Sequence, residues 1–175
     1  MNPTNKIPEG YKPDVVEMGN GYSFDRKGTE AYNAMAKAAK ADGISLWVVS
    51  AYRSHEKQTT NFNNKIKEFQ GMGYTATEAY AATAKLIAVP GTSEHSLGLA
   101  LDLNSLETSF ENTKTFEWLY KNCADYGFIL RYPKDKTHIT EISYEPWHYR
   151  YVGVDHAKII MEKGICLEEY LSGDY

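Results

Sequence analysis

Apolar residues recur with two different periods along this chain, and the two periods predict both helices and strands. The helical period, with capping and stop residues at the segment ends, predicts five helices, over about residues 29–43, 55–71, 76–89, 113–125 and 155–164. The third begins at Thr75–Glu78, whose sequence TATE matches a capping box. A short acidic helix is expected after the fifth.

β-Branched and aromatic residues, or strict alternation of apolar residues, predict four strands, over residues 44–50, 97–103, 128–132 and 147–152. Helices and strands do not follow each other in a regular βαβ order, which favours an α+β fold on a small, mainly antiparallel sheet flanked by helices. Residues 1–25 are rich in Pro, Gly and Asn and predict an extended arm. We expect one domain over residues 1–175, with a helical tail over 154–175.

Composition narrows the class of protein. The chain has 175 residues, a formal net charge of −4 and 42% hydrophobic residues, which is typical of a globular protein and unlike a basic nucleic-acid-binding one. No apolar run is long enough to span a bilayer, and the N-terminus does not resemble a signal peptide. Two locations stay open: the cytosol, or the cell envelope if an export or anchor segment is absent from this chain.

Cys123 and Cys166 do not form a disulfide framework, although a single bridge stays open.

The first candidate for chemistry is the segment SEHSLGLALD, residues 93–102. Along a strand, the leucines would occupy one face, while Gly98, Ala100 and Asp102 occupy the other. A turn before the strand could place His95 over this face of small residues, where His95 and Asp102 would be two metal ligands. The alternative is a solvated sheet edge with an ordinary Asp and a loop His.

The second candidate is Glu145-Pro146-Trp147-His148. Residues three apart in a flat strand face opposite sides, but Pro146 favours a bend that lets Glu145 and His148 converge. Together with His95 and Asp102, His148 would complete a set of two imidazoles and one carboxylate. Three such ligands with an open fourth position are typical of catalytic zinc. The alternative is a Glu–His pair in an aromatic strand.

The third candidate lies at a predicted strand-to-helix junction, in the sequence SAYRSHEKQ. Arg53 leaves the strand, and Gln58 follows about one helical turn later. An Arg there suits bidentate binding of a substrate carbonyl or carboxylate. The alternative is a surface salt bridge. We expect the remaining histidines, His55, His138 and His156, to lie at the surface.

Taken together, the three segments resemble the VanY-like zinc D-alanyl-D-alanine carboxypeptidases and the related VanX and VanXY dipeptidases. The family motif S-x-H-x-x-G-x-A-x-D matches residues 93–102, E-P-W-H matches 145–148, and SAYRS with a following Gln matches 50–58. The resemblance covers about residues 5–155 and implies the Hedgehog/DD-peptidase fold.

By this resemblance, the chain is expected to hydrolyse the C-terminal D-Ala of peptidoglycan stem peptides, the activity behind VanY-type vancomycin resistance. It implies one zinc per chain. The roles it implies are zinc ligands His95, Asp102 and His148, general base Glu145, oxyanion-stabilising Arg53, substrate-binding Gln58 and Ser93, and pocket walls Tyr132 and Trp147. An L,D-carboxypeptidase, a D,D-dipeptidase and a non-catalytic zinc-containing peptidoglycan-binding module stay open as alternatives. We expect a monomer in the cell envelope or outside the cell, with a cytoplasmic protein as the alternative.

Overall fold

The strands of the protein build two antiparallel sheets of unequal size. The computed structural model describes residues 6–173 and Tyr175. Its strands are β1 (Val15–Glu17), β2 (Ser23–Asp25), β3 (Val48–Ser50), β4 (Ala100–Leu103), β5 (Phe128–Leu130) and β6 (His148–Tyr151). Strands β1 and β2 form a hairpin, and the main sheet has the order β3-β4-β6-β5 with every neighbouring pair antiparallel. The predicted α+β class with a small antiparallel sheet is confirmed.

α-Helices connect and flank the strands. Those of the described residues are α1 (Arg26–Ala41), α2 (His55–Gly71), α3 (Ala76–Ala84), α4 (Lys114–Asn122), α5 (Thr137–Thr140), α6 (Val154–Lys163) and α7 (Leu167–Ser172). Ser54 caps α2 by accepting a hydrogen bond from the Lys57 N–H, and Thr75 with Glu78 forms the predicted capping box of α3. None of the helices in the described part of the chain has the length and apolar character needed to cross a bilayer.

The two faces of the main sheet have different partners. Because side chains alternate along a strand, Leu101 and Tyr149 point into the larger core cluster, which also contains residues of α1 and α4. Asp102 and His148 lie on the opposite face. On that face, Ile129 packs with Ala157, Ile160 and Leu167 of the last two helices. The polar side chains therefore lie on a face that helices cover only in part.

All four predicted strands are shorter in the structure, the first two by three or more residues. Residues 44–47 precede β3 instead of belonging to it, and β4 begins at Ala100 rather than at Leu97. Gly98 has a φ of 75°, in the left-handed region, and this interrupts extended geometry. The preceding residues Glu94–Leu97 form a 3-10 turn instead.

The N-terminal and C-terminal segments differ in part from the prediction. Residues 1–5 of the predicted arm lie outside the described residues. The rest of the arm contains the β1–β2 hairpin, which was not predicted. This hairpin packs against the turn before β4, since Asp25 N–H donates to the Gly98 carbonyl at 2.8 Å. Helix α6 begins at Val154, one residue before the predicted start, and Gly153 occupies its N-cap position. Cys123 and Cys166 are buried free thiols, which decides against a bridge between them.

Candidate active site

Three buried side chains converge where the centre of the main sheet meets the turn before β4. One potential ligand atom from each of His95, Asp102 and His148 lies within 4.8 Å of the other two. Asp102 Oδ2 lies 3.2 Å from His95 Nε2, and Asp102 Oδ1 lies 3.1 Å from His148 Nδ1. The three residues are at most 5% exposed. The structure therefore brings together the three ligands that the sequence predicts.

Strand register and one turn produce this convergence. Asp102 of β4 is directly opposite His148 of β6, and cross-strand neighbours hold their Cβ atoms about 5 Å apart. His95 is not on the strand, but the 3-10 turn places it over the same face. Its position is held by the contact of Nδ1 with the Ala51 carbonyl oxygen at 2.8 Å and by the Arg53 N–H, which donates to the His95 carbonyl at 3.1 Å. His95 thus presents Nε2 to Asp102.

The chemistry of the cluster fits a metal cation. Burial lowers the pKa of His148, but contacts with Asp102 and Glu94 outweigh burial and raise that pKa to about 9. The surrounding carboxylates therefore stabilise positive charge at this point. Asp102 Oδ1 is buried and makes no hydrogen bond within the described part of the chain. Two imidazoles and one carboxylate, with a cavity at the remaining side, match the donor set of a catalytic zinc site.

Glu145 lies beside the cluster without completing it. Its Oε2 is 3.4 Å from His148 Nδ1, and its side chain is 24% exposed. Burial raises the pKa of Glu145 to about 7, with the negative charges of Asp102 and Glu94 acting in the same direction and His148 opposing them. A carboxylate with its pKa near neutrality is suited to accept and return a proton. The predicted bend exists, because the His148 N–H donates to the Glu145 carbonyl at 3.2 Å.

Arg53 approaches the same cavity from the junction between β3 and α2. Its guanidinium donates to Gln58 Oε1 at 2.8 Å and to Ser50 Oγ at 3.0 Å. Burial lowers the pKa of Arg53, while the charges of Asp102 and Glu145 raise it. The surface salt bridge considered for Arg53 is not what the structure shows. The neutral side chains of Gln58 and Ser50 hold the guanidinium, so its positive charge is not paired with a carboxylate among the described residues and is directed toward the cavity.

The cavity has a volume of about 380 Å³ and is partly open to solvent. Its wall includes the cluster and most of the predicted site residues, namely Arg53, Ser93, Tyr132, Glu145 and Trp147. Gln58 is the exception. It is fully buried, does not line the cavity and donates to the Ala88 carbonyl while accepting from Arg53. The structure therefore places Gln58 behind Arg53.

Sequence reasoning missed Glu94, which lines the cavity and contacts His148. A signal was available, because Glu94 lies between two motif residues, in a segment with few other charges. The three histidines expected at the surface, His55, His138 and His156, are exposed, and His156 stacks edge-on against Tyr170.

Comparison with solved structures defines the class of protein. The chain superimposes with a TM-score of 0.88 on VanYB in complex with D-alanine-D-alanine, at 43% identity, covering 99% of this chain and 96% of that one. With the vancomycin resistance D,D-pentapeptidase VanY in complex with Zn(II), the TM-score is 0.86 and the sequence identity 44%. That match covers 97% of this chain and 96% of the other. With the LdcB LD-carboxypeptidase, the TM-score is 0.86 and the sequence identity 34%, over 98% of this chain and 83% of the other. The fold is thus that of the Hedgehog/DD-peptidase class.

Sequence comparison then shows the family. The sequence model of VanY, D-alanyl-D-alanine carboxypeptidase, matches residues 22–154. A D-alanyl-D-alanine carboxypeptidase of Enterococcus faecalis is 43% identical over 98% of this chain and 64% of its own length. The putative carboxypeptidase YodJ of Bacillus subtilis is 36% identical over 97% of this chain and 65% of its own length. The chain thus spans slightly under two thirds of the length of these two relatives. The chain belongs to the VanY D-alanyl-D-alanine carboxypeptidase family.

Proposed function

We propose that this chain is a zinc-dependent carboxypeptidase that removes the C-terminal D-Ala from peptidoglycan stem peptides ending in D-Ala-D-Ala. The observation that carries the proposal is the convergence of His95, Asp102 and His148 with Glu145 and Arg53 on one cavity. The VanY relative with Zn(II) and the VanYB complex with D-alanine-D-alanine support both the metal and the substrate.

Each of these side chains has a distinct task in the proposed reaction. His95 Nε2, His148 Nδ1 and an Asp102 oxygen would hold one zinc ion. Bound there, zinc supplies Lewis-acid polarisation of the scissile carbonyl and makes water more acidic. Glu145 accepts the proton of the attacking water and then returns it to the leaving amine of D-Ala, so that it begins and ends the cycle ionised.

Arg53 is the proposed stabiliser of the negative charge that develops on the carbonyl oxygen. Loss of one such donor in other enzymes costs about 10²–10³ in kcat. Gln58 and Ser50 would serve this step by fixing the guanidinium, and this assigns Gln58 to positioning in place of the predicted substrate contact. Ser93, Tyr132 and Trp147 line the cavity and are the proposed contacts of the peptide.

An L,D-carboxypeptidase is the second candidate, because LdcB shares 34% identity and a TM-score of 0.86 with this chain. The same ligands, base and arginine would act in it, and only the residue before the terminal D-Ala would differ. A binding module without catalysis is disfavoured by Glu145, since a carboxylate poised beside the metal ligands has no task in binding alone. We propose a single-domain monomer that acts in the cell envelope, where stem peptides are found.

The test offers wild-type protein three substrates side by side: a pentapeptide stem ending in D-Ala-D-Ala, a tetrapeptide stem, and free D-Ala-D-Ala. We expect about one zinc per chain, D-Ala release chiefly from the pentapeptide, loss of activity with a chelator and no inhibition by β-lactams, which require a nucleophilic Ser. His148→Ala should lose the zinc. Preference for the tetrapeptide would move the assignment to an L,D-carboxypeptidase. Zinc-loaded protein that cleaves none of the three would overturn the proposal.

A further inference from the structure

Buried charged residues lie next to the second imidazole nitrogen of His148, and Glu94 among them also lines the cavity. Glu94 and Arg131 are each 1% exposed. Arg131 Nε donates to Glu94 Oε1 at 2.8 Å, and Arg150 NH1 lies 3.0 Å from the same oxygen. The guanidinium groups of Arg131 and Arg150 therefore both contact the buried carboxylate of Glu94.

The two nitrogens of His148 face different partners. Nδ1 points to the metal cluster, 3.1 Å from Asp102 Oδ1, and Nε2 points away from it, 3.6 Å from Glu94 Oε2. A histidine that binds a metal through Nδ1 as a neutral imidazole must carry its proton on Nε2. At 3.6 Å, the Glu94 carboxylate lies just beyond hydrogen-bond distance of that nitrogen. A small shift of the ring on metal binding would let Glu94 accept the proton and thereby select both the tautomer and the orientation of the ring.

Glu94 is in turn connected to the C-terminal helix. Arg131 donates through NH1 and NH2 to the two carboxylate oxygens of Glu168, at 2.8 and 2.6 Å, a bidentate pair. Glu168 belongs to α7, which is anchored by Leu167 in the smaller core cluster. With Arg150, the group has two positive and two negative charges, so its members balance one another, and Arg150 and Glu168 lie at its partly exposed ends.

We propose that Glu94 is a positioning residue for the metal ligand His148, and that α7, through Glu168 and Arg131, holds Glu94 in place. The C-terminal helix is then part of the support of the metal centre, although it contributes no ligand. The inference rests on the proposed metal site. We therefore expect Glu94, Arg131 and Glu168 to strengthen zinc binding although none of them is a ligand.

The experiment measures zinc affinity by competition with a chromogenic chelator for full-length wild type, Glu94→Gln, Glu168→Gln and the matched control Glu169→Gln. Glu169 lies on the same helix but pairs with Lys136 and accepts from the Cys166 N–H, so its substitution perturbs α7 without touching Arg131. We expect Glu94→Gln to lose about 10–100-fold in affinity, as is usual for a partner of a ligating histidine. Glu168→Gln should lose affinity by a smaller factor, and Glu169→Gln should equal wild type.

A spectroscopic readout separates positioning from general stability. With Co(II) in place of zinc, the visible d–d bands should shift in Glu94→Gln and stay unchanged in Glu169→Gln. Wild-type affinity and an unshifted spectrum in Glu94→Gln would overturn the inference, as would equal losses in Glu168→Gln and Glu169→Gln. If Glu94→Gln fails to fold, the comparison of Glu168→Gln with Glu169→Gln decides alone. Failure of wild type itself to bind zinc would count against the proposed function instead.

Discussion

Replacement of Glu145 by Gln separates metal binding from proton transfer. The substitution keeps the size of the side chain, and it keeps both backbone hydrogen bonds of the residue, from its N–H to the Tyr132 carbonyl and from the His148 N–H to its own carbonyl. What it removes is the basic oxygen near His148 Nδ1. Glu145 is not among the three clustered ligand atoms, so the zinc content should remain that of wild type.

The expected loss follows from the role of the carboxylate. A positioned general base contributes about 10²–10⁴-fold in rate, which corresponds to roughly 3–5 kcal/mol of activation free energy. Arg53 and the metal ligands stay in place in the variant, and the catalysis they supply remains. We therefore expect kcat for D-Ala release to fall by a factor on the order of 100 or more, with KM changed far less.

The assay follows D-Ala release under saturating substrate, with zinc per chain measured on the same samples. Glu141→Gln is the matched control, since Glu141 is an exposed carboxylate four residues earlier, and it should behave as wild type. Activity within a few-fold of wild type in Glu145→Gln would refute the assignment of the base. Loss of zinc from that variant would instead show that Glu145 is a ligand.

Three further changes test the support of the site and the fold. Gln58→Leu removes the partner of Arg53 NH1 and should lower kcat about tenfold while zinc content is kept; unchanged kcat would contradict the positioning role. Gly98→Ala should lower the free energy of unfolding by about 1–3 kcal/mol in urea titration, because its φ is 75° and the new Cβ would lie 2.5 Å from Val15 Cγ1. Thr75→Ala should cost about 1 kcal/mol in the same titration through loss of the α3 cap, and an unchanged midpoint would argue against the capping box.

Local sequence determined much of this protein. The capping box at Thr75, the Ser54 cap and the alternation of leucines with small residues in β4 each act over a few residues, so they can be read without a partner segment. The same holds for the spacing of His95 and Asp102 and for the bend at Pro146, which predicted that these side chains and His148 converge, as they do in the structure.

Tertiary structure decided what depends on distant segments. The strand register places Asp102 directly opposite His148, and the pairing of two strands so far apart in the chain is not encoded in either one alone. Gln58 lies behind Arg53 because its amide donates to the carbonyl of Ala88, thirty residues later in the chain. Likewise, Glu94 shares no local pattern with Arg131 or Glu168, and only packing of β6 and α7 around it makes a buried anion tolerable. A charge removed from water must find its counter-charges, and those come from whichever segments the fold brings near.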